Sequence, residues 1–416
     1  MPRIARFPYF GKRFFRHIRK VIGCCHFAHF WRLVVALAAM QGRRSLVRIQ
    51  KLFGDRRTRQ AIAHFLTQAE WDAPEVLRQT ARERLQQLGY RPGDAVYLVI
   101  DDTQKRKRGK LMAAVSKIFL HAEGVYAQGH TILGCALVYR GVVIPCRVSL
   151  WAPQEFCEAS RSEPEPADRV AFRKLTELAA EAVGAELLPP EARGIVLFDA
   201  YYLCPTVTEA CRERGFRWIS VGKKNRNFFP DGRPRDKRKL GRYAANVLRR
   251  EGRRTNVQGQ SYRLAERVGW LSKAGRVKLV FSRRKRERTW VALVTNETRW
   301  SAKTVLSHYL CRWGIEVFFK MSKQHLGLGD YQLLRYRGIE RYLCLVLIAY
   351  LLLTHLAIDE ADAQAKTRRQ AELRLPSIPQ LQQQLRSRLW DDVIRTWETG
   401  TRYRAAARKI KEVIQL

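Results

Sequence analysis

The stretch YLCRWGIEVFFKMSK, residues 309–323, decides how the rest of the chain is interpreted. At about 100° per residue in a helix, five of its polar side chains fall within one stripe roughly 80° wide. These side chains are Tyr309, Arg312, Glu316, Lys320 and Lys323. Much of the remaining surface is apolar, which predicts a mostly buried helix with one charged seam. The alternative interpretation is structural, an internal ion pair of Glu316 with Arg312 or Lys320 at four-residue spacing.

The spacing Tyr-x2-Arg-x3-Glu-x6-Lys in this stretch resembles the signature of the cut-and-paste transposases of bacterial insertion sequences, which have an RNase-H-like catalytic domain. The resemblance implies that Glu316 is the third member of an Asp-Asp-Glu triad that binds metal ions. It also implies that Tyr309, Arg312 and Lys323, with Lys320 on the same stripe, hold DNA at the element's ends. The chain must then supply two aspartates elsewhere.

The first aspartate is expected after the apolar run at residues 95–100, which has the character of a central strand. This run ends in Asp101-Asp102-Thr103, followed by a basic segment that includes Lys105 and Lys110. Such an arrangement indicates a metal site beside a phosphate-binding track, and the alternative is a polar turn. In the family, the first catalytic Asp directly precedes Thr, which implies Asp102. Asp101 stays open, because sequence does not fix the strand's register.

The second aspartate, Asp199, follows another predicted buried strand at residues 194–198. Between the two lies a predicted hairpin around Arg140-Gly141, in which Pro145 indicates an edge or bulged strand. The further predicted elements are strands at 131–139, 142–150 and 216–221 and helices at 167–182 and 205–214. This order predicts an α/β fold with an RNase-H-like mixed sheet, whose first and fourth strands are neighbours. Asp102 and Asp199 are then expected to meet, and the alternative for Asp199 is a helix cap.

A basic insertion at residues 222–300 interrupts this order. Strand-like runs at 261–268, 276–282 and 290–295 predict a β-rich insertion domain. In the family, the last strand of such an insertion bears a tryptophan that stacks on a base flipped from the transposon end, and Trp290 matches that position. The alternative for Trp290 is a core tryptophan.

The domains at the two ends of the sequence are predicted to be helical, on either side of the catalytic core. Residues 1–90 predict a basic, aromatic arm over 1–30 and a helical DNA-binding domain, with a weak helix-turn-helix signal around Gly54-Asp55 and Arg56-Arg57. The catalytic core is predicted at 91–221 and 301–358, the latter containing a buried helix at 342–357. The tail at 359–416 is expected to pack on the catalytic domain or on a second protomer.

Composition identifies the partner. Lys and Arg number 78 against 38 Asp and Glu, a net charge of +40, which indicates a nucleic acid that neutralises the chain. The basic residues are spread along the sequence rather than set on one amphipathic helix, which argues against a membrane surface. The nine cysteines are scattered without a Cys-x2-Cys pair, as is typical of the reducing cytoplasm. We expect a bacterial, nucleoid-associated protein.

The predicted function is DNA transposition. Asp102, Asp199 and Glu316 are expected to hold two Mg²⁺ ions, with Mn²⁺ as a substitute. The expected partners are the terminal inverted repeats and target DNA, bound by a homodimer on paired ends. The resemblance and Trp290 together imply a hairpin intermediate. The alternatives are an RNase-H-like nuclease or resolvase without strand transfer, and a non-catalytic DNA-binding derivative.

Overall fold

The amino-terminal part of the protein is helical. The computed structural model describes residues 7–52, 58–121, 123–231, 235–364 and 373–399. The first helices are α1 (Lys12–Ile22), α2 (Cys24–Ala39), α3 (Leu46–Lys51), α4 (Arg59–Thr67) and α5 (Ala73–Gln87). Side-chain oxygens of Ser45, Thr58 and Asp72 accept backbone N–H bonds at the starts of α3, α4 and α5, which explains where these helices begin.

Helix α1 replaces much of the predicted basic arm. Its basic residues face solvent, whereas Phe14, Phe15, Ile18 and Ile22 are buried in the protein core. This is an amphipathic helix packed against α2 and α5. Phe14 and Phe15 are therefore core residues rather than part of a basic arm. The predicted turn at residues 54–57 lies outside the described residues.

The next segment forms a mixed sheet. Its strands are β1 (Ala95–Arg106), β2 (Ser116–Leu120), β3 (Val125–Tyr139), β4 (Val142–Leu150), β5 (Arg193–Phe198) and β6 (Arg217–Val221). β3 is antiparallel to β1 and β4, and β5 is parallel to β1 and β6. The order β4-β3-β1-β5-β6 is that of an RNase-H-like α/β fold, as the sequence predicts. Ile100 lies opposite Phe198, so the segments that precede the aspartates are adjacent. The first strand does not end before Asp101, as the sequence predicted, because the ladder with β3 continues through Asp101 and Asp102 to Arg106.

Strand β4 is both bulged and at an edge, which confirms the expectation from Pro145. Its register with β3 shifts where Ala136 lies opposite Pro145 and Cys135 lies opposite Arg147. In the part of the chain that the structure describes, β4 pairs with β3 alone. A proline fits here because it has no N–H for a second ladder.

Three helices accompany these strands: α6 (Gln154–Ser160), α7 (Leu175–Gly184) and α8 (Pro205–Glu213). The helix predicted over 167–182 begins only at Leu175. The Glu177 carboxylate accepts the backbone N–H of Lys174 and so helps to fix this later start.

The insertion extends the core sheet. Its elements are β7 (Asn227–Pro230), β8 (Arg238–Lys239), α9 (Leu240–Glu251), β9 (Arg253–Val257), β10 (Gln260–Leu271), β11 (Gly275–Arg284) and β12 (Val291–Thr295). β12 pairs with both β11 and β6, so the hydrogen-bonded ladder runs without interruption from the core into the insertion. Helix α9, whose apolar side chains Leu240, Ala244 and Leu248 are buried, is not among the predicted elements.

The stretch at 309–323 is not one continuous helix. Helix α10 (Ala302–Leu310) ends before a break at Cys311 and Arg312, α11 (Trp313–Met321) follows, and Ser322–Leu326 form a π-helical turn. The expected burial is also partly wrong, because Trp313 is 66% exposed and Val317 is exposed as well.

Helices α12 (Tyr336–Gln364) and α13 (Ile378–Thr399) complete the described chain. The segment Tyr336–Glu360 is long and apolar enough to cross a membrane, and 94% of its most apolar window is buried inside the protein. This burial is what a core helix shows. In α13, Leu381, Leu385 and Leu389 are buried, and the helix packs on α2 and α12 of the same chain.

Gly134 determines how closely α11 approaches the sheet. It lies opposite Asp101 in the β1–β3 ladder. A Cβ atom at this position would lie 2.7 Å from Cζ of Phe319, which belongs to α11. The missing side chain therefore lets the Phe319 ring lie directly on the strand, and α11 is held against the aspartate-bearing strand.

We expect Gly134→Ala to destabilise the protein by about 1–3 kcal/mol, because the added methyl overpacks the Phe319 contact. Urea unfolding measures the effect. Gly184→Ala is the matched control, since nothing lies within 4 Å of the added methyl. Equal stability of the two variants would contradict this role of Gly134.

Candidate active site

Arg312 joins two acidic side chains from distant parts of the chain. Its Nη1 donates to Asp101 Oδ2 at 2.9 Å, and its Nη2 donates to Glu316 Oε1 one helical turn further on. The guanidinium and the Asp101 carboxylate are both largely shielded from solvent. The structure thus brings Glu316 to the aspartate-bearing strand through Arg312. It also contains the internal ion pair that was the alternative interpretation of Glu316.

The other two aspartates meet around Tyr202, a buried residue just after β5. The Tyr202 hydroxyl donates to Asp102 Oδ1 at 2.7 Å. Asp199 Oδ1 accepts the backbone N–H of Tyr201 at 2.8 Å and that of Tyr202 at 3.4 Å. Asp199 therefore caps the turn after β5 rather than helix α8, which has Cys204 at its start.

Burial and repulsion by neighbouring carboxylates oppose ionisation of Asp101 and Asp102. Burial is the main cause that raises the pKa of Asp101 to about 7, Arg312 acts against it, and Asp102 and Asp199 add to it. Burial also raises the pKa of Asp102; the Tyr202 hydrogen bond lowers it, and Asp199 raises it further. The carboxylates thus interact in a poorly solvated place that favours an added cation.

The donor set suits a hard divalent cation. Asp101, Asp102, Asp199 and Glu316 offer carboxylate oxygens, the ligands that Mg²⁺ and Mn²⁺ prefer. A bound cation would also favour the ionised carboxylates whose pKa values are raised here. Within the described ranges, no three His, Cys, Asp or Glu side chains are already grouped so that they could hold a metal ion. Whether Asp101 or Asp102 is the first ligand stays open.

Some of the predicted DNA-binding residues surround this cluster. Lys323 donates to the Gln104 carbonyl at 2.8 Å. Burial is the main cause that lowers its pKa; the charge of Lys105 lowers it further, whereas that of Asp102 raises it. The Arg312 guanidinium lies 5.7 Å from the Tyr309 ring centre, and burial raises the pKa of Tyr309 to about 12.

The other predicted cations differ in their exposure. Lys105 pairs with Asp330 at 3.6 Å and is half-buried, whereas Lys110 and Lys320 are exposed. Lys107, in the same basic run, is only 8% exposed and donates to the carbonyls of Gly329 at 2.8 Å and Tyr331 at 3.2 Å. This lysine is an internal anchor and does not form part of a surface track.

Trp290 lies immediately before β12 and is partly buried against the core. The Lys224 ammonium lies 4.8 Å from its ring centre. The partly exposed Trp290 ring beside Lys224 fits a core residue and also fits a base clamp. The base clamp therefore stays a prediction.

Comparison with known protein families gives a match over much of the chain. Residues 26–276, more than half of the chain, match the family described as DDE superfamily endonuclease. The chain belongs to this family. The matched range contains β1 and β5 with their aspartates and ends before Glu316. A search of curated proteins gave no match. As a DDE endonuclease, the protein is a nuclease-type enzyme with DNA as its substrate.

Sequence reasoning overlooked one residue that shapes this DDE endonuclease site. Tyr202 contacts Asp102 through its hydroxyl and Asp199 through its backbone N–H. In the sequence, the feature that could have pointed to Tyr202 is its position three residues after Asp199, where a turn brings its side chain back toward the neighbouring strand.

We expect Tyr202→Phe to shift the acidic limb of the endonuclease's pH–rate profile to higher pH. The hydrogen bond favours ionised Asp102, so its loss raises the pKa of Asp102, and the active ionised form appears only at higher pH. The measurement is DNA cleavage against pH, with thermal unfolding as a check on folding. Tyr201→Phe, at the exposed neighbour, should leave the profile unchanged; a shift in both variants would argue against a specific contact.

Proposed function

We propose that this DDE endonuclease is an insertion-sequence transposase that cleaves the ends of its element and joins them to target DNA. The observation that carries the proposal is the position of Arg312. It is the arginine of the Tyr-Arg-Glu-Lys spacing, and it contacts both Asp101 on β1 and Glu316 on α11. The arginine of this motif thus contacts the first aspartate of the Asp101-Asp102-Thr103 segment.

Asp102, Asp199 and Glu316 would hold two Mg²⁺ ions, with Mn²⁺ as a substitute and Asp101 as the alternative first ligand. Bound there, such ions activate an attacking oxygen and stabilise the leaving oxygen of a phosphodiester. The protein's own contribution is to place the carboxylates within β1 next to the one that follows the end of the adjacent strand β5. Tyr202 holds Asp102 in place through its hydroxyl.

Arg312 links DNA binding to the availability of the carboxylates. In the structure it is paired with Asp101 and Glu316, and a DNA phosphate is an equally suitable partner for its guanidinium. Transfer of Arg312 to a phosphate would release Glu316 for metal binding. Tyr309, Lys320, Lys323, Lys105 and Lys110 would hold further phosphates, so the strand is fixed for in-line attack.

In the proposed reaction, water cleaves one strand at the element's end and leaves a 3′-OH group. This hydroxyl attacks the opposite strand to form a hairpin, and after the hairpin is opened it attacks target DNA. Trp290 would stack on the base that leaves the duplex at the hairpin. Both ends must be held together, so we propose a homodimer on paired terminal repeats, working at the nucleoid in the bacterial cytoplasm.

The endonuclease family is also compatible with a nuclease that never joins strands. A labelled element end incubated with supercoiled plasmid and Mg²⁺ distinguishes the two functions. A transposase gives labelled end covalently joined to plasmid, whereas a nuclease or resolvase gives cleaved ends only. A non-catalytic derivative gives neither product but still binds the end.

We expect Glu316→Gln to lower cleavage at least about 10³-fold while binding of the end stays within a few-fold, because the amide keeps the side chain's size but removes its negative charge. Gel mobility shift and cleavage of labelled ends provide the two measurements. Glu209→Gln, at an exposed ion pair on α8, is the matched control. Cleavage by the Glu316 variant at the parent rate would remove Glu316 from the triad.

A further inference from the structure

The hairpin of β2 and the start of β3 has an exposed aromatic face. Lys117 and Phe119 alternate with Ile118 and Leu120 along β2, so the two pairs point to opposite faces. Ile118 and Leu120 are buried, whereas Phe119 is 37% exposed and its cross-strand partner Tyr126 is 68% exposed. The hairpin is therefore anchored by one face and presents the other to solvent.

The exposed side chains form a continuous aromatic and cationic surface. The ring centres of Phe119 and Tyr126 are 5.1 Å apart, and those of Phe119 and His121 are 5.2 Å apart. The Lys117 ammonium lies 5.5 Å from the Tyr126 ring centre. We call Lys117, Phe119, His121 and Tyr126 the stacking platform.

An uncovered aromatic pair is unusual at this place in a sheet. In the described part of the chain, β2 lies at the end of the strand order. Edge strands are normally protected by charged side chains, because exposed apolar ones promote association between molecules. Lys117 provides such protection, but Phe119 and Tyr126 act against it. A functional partner that covers the two rings accounts for their presence.

The stacking platform adjoins the candidate active site. The backbone N–H of His121 donates to Gln104 Oε1 at 3.2 Å, and Gln104 follows Asp102 by two residues on β1. The Gln104 carbonyl in turn accepts the hydrogen bond from Lys323. Arg106 at the end of β1 pairs with Glu123 in the hairpin turn at 3.3 Å. The platform is thus attached to the strand that carries the aspartates.

We propose that the stacking platform binds unpaired bases of a single-stranded DNA segment that adjoins the cleaved phosphate. Every base has a flat π-face that stacks on aromatic rings without sequence preference, and neighbouring cations attract the phosphates. The net charge of +40 favours a polyanion over a second copy of this chain, which would bring like charges together. The inference rests on DNA as the substrate and is independent of strand transfer.

The test compares binding of two DNA probes by the full-length protein in EDTA, so that cleavage does not contribute. One probe is a blunt duplex, and the other is the same duplex with a short single-stranded extension that contains 2-aminopurine. The parent should prefer the extended probe and quench its fluorescence. Phe119→Leu combined with Tyr126→Leu should lower affinity for the extended probe on the order of tenfold and leave the blunt duplex unaffected, because only ring stacking is removed.

Tyr126→Phe keeps the ring and should behave as the parent. Tyr9→Leu is a second control, since Tyr9 is an exposed tyrosine with the Lys12 ammonium 4.4 Å from its ring centre, but it lies in the amino-terminal region.

Thermal unfolding confirms that the double variant is folded, and Tyr126→Leu alone tests the platform if it is not. Equal affinity of parent and folded variant for the extended probe overturns the proposal. If the double variant differs from the parent in oligomeric state when no DNA is present, the proposal is also overturned, because the two rings then contact another protein molecule. Because no step requires catalysis, failure of the transposase assignment would leave this result interpretable.

Discussion

The structure of the candidate site depends on compensation of negative charge that is shielded from water. Asp101, Asp102 and Asp199 interact with one another, and burial raises the pKa values of the first two. Removing several carboxylates from water is costly unless cations or hydrogen-bond donors accompany them. Arg312 and Tyr202 supply these partners, each from a different segment of the chain. The same interactions that stabilise the cluster also determine which carboxylates are available for chemistry.

Two features of the backbone make this compensation possible. The parallel pairing of β1 with β5 places Ile100 opposite Phe198, so Asp101 and Asp102 within β1 lie near Asp199, which follows the end of β5. The absence of a side chain at Gly134 allows Phe319 to lie on β3, so α11 approaches closely enough for Arg312 to reach Asp101. The close packing at Gly134 and the charge of Arg312 are thus both needed for the ion pair between Arg312 and Asp101.

Much of the fold follows from local sequence. Apolar runs bounded by turn residues predict β1, β4, β5 and β6, and the order of elements predicts the RNase-H-like sheet, because strand formation depends on nearby apolar and turn residues. Helix α9 was missed because its basic side chains concealed an apolar stripe that packs inside the insertion. The burial of Lys107 was not predicted, because a run of lysines and arginines is typical of a solvent-exposed segment. Carbonyl groups of a loop distant in sequence accept hydrogen bonds from Lys107 only in the folded protein.

The sequence by itself determined the identity and spacing of the acidic residues, the basic character of the chain and the type of sheet that carries the site. Only the tertiary structure decided that Glu316 is held by Arg312 against Asp101, that Tyr202 belongs to the site, and that Phe119 and Tyr126 form an exposed surface beside it. The reason is physical: periodicity and turns act over a few residues, whereas the pairing of a buried charge depends on groups that are adjacent only after the chain has folded.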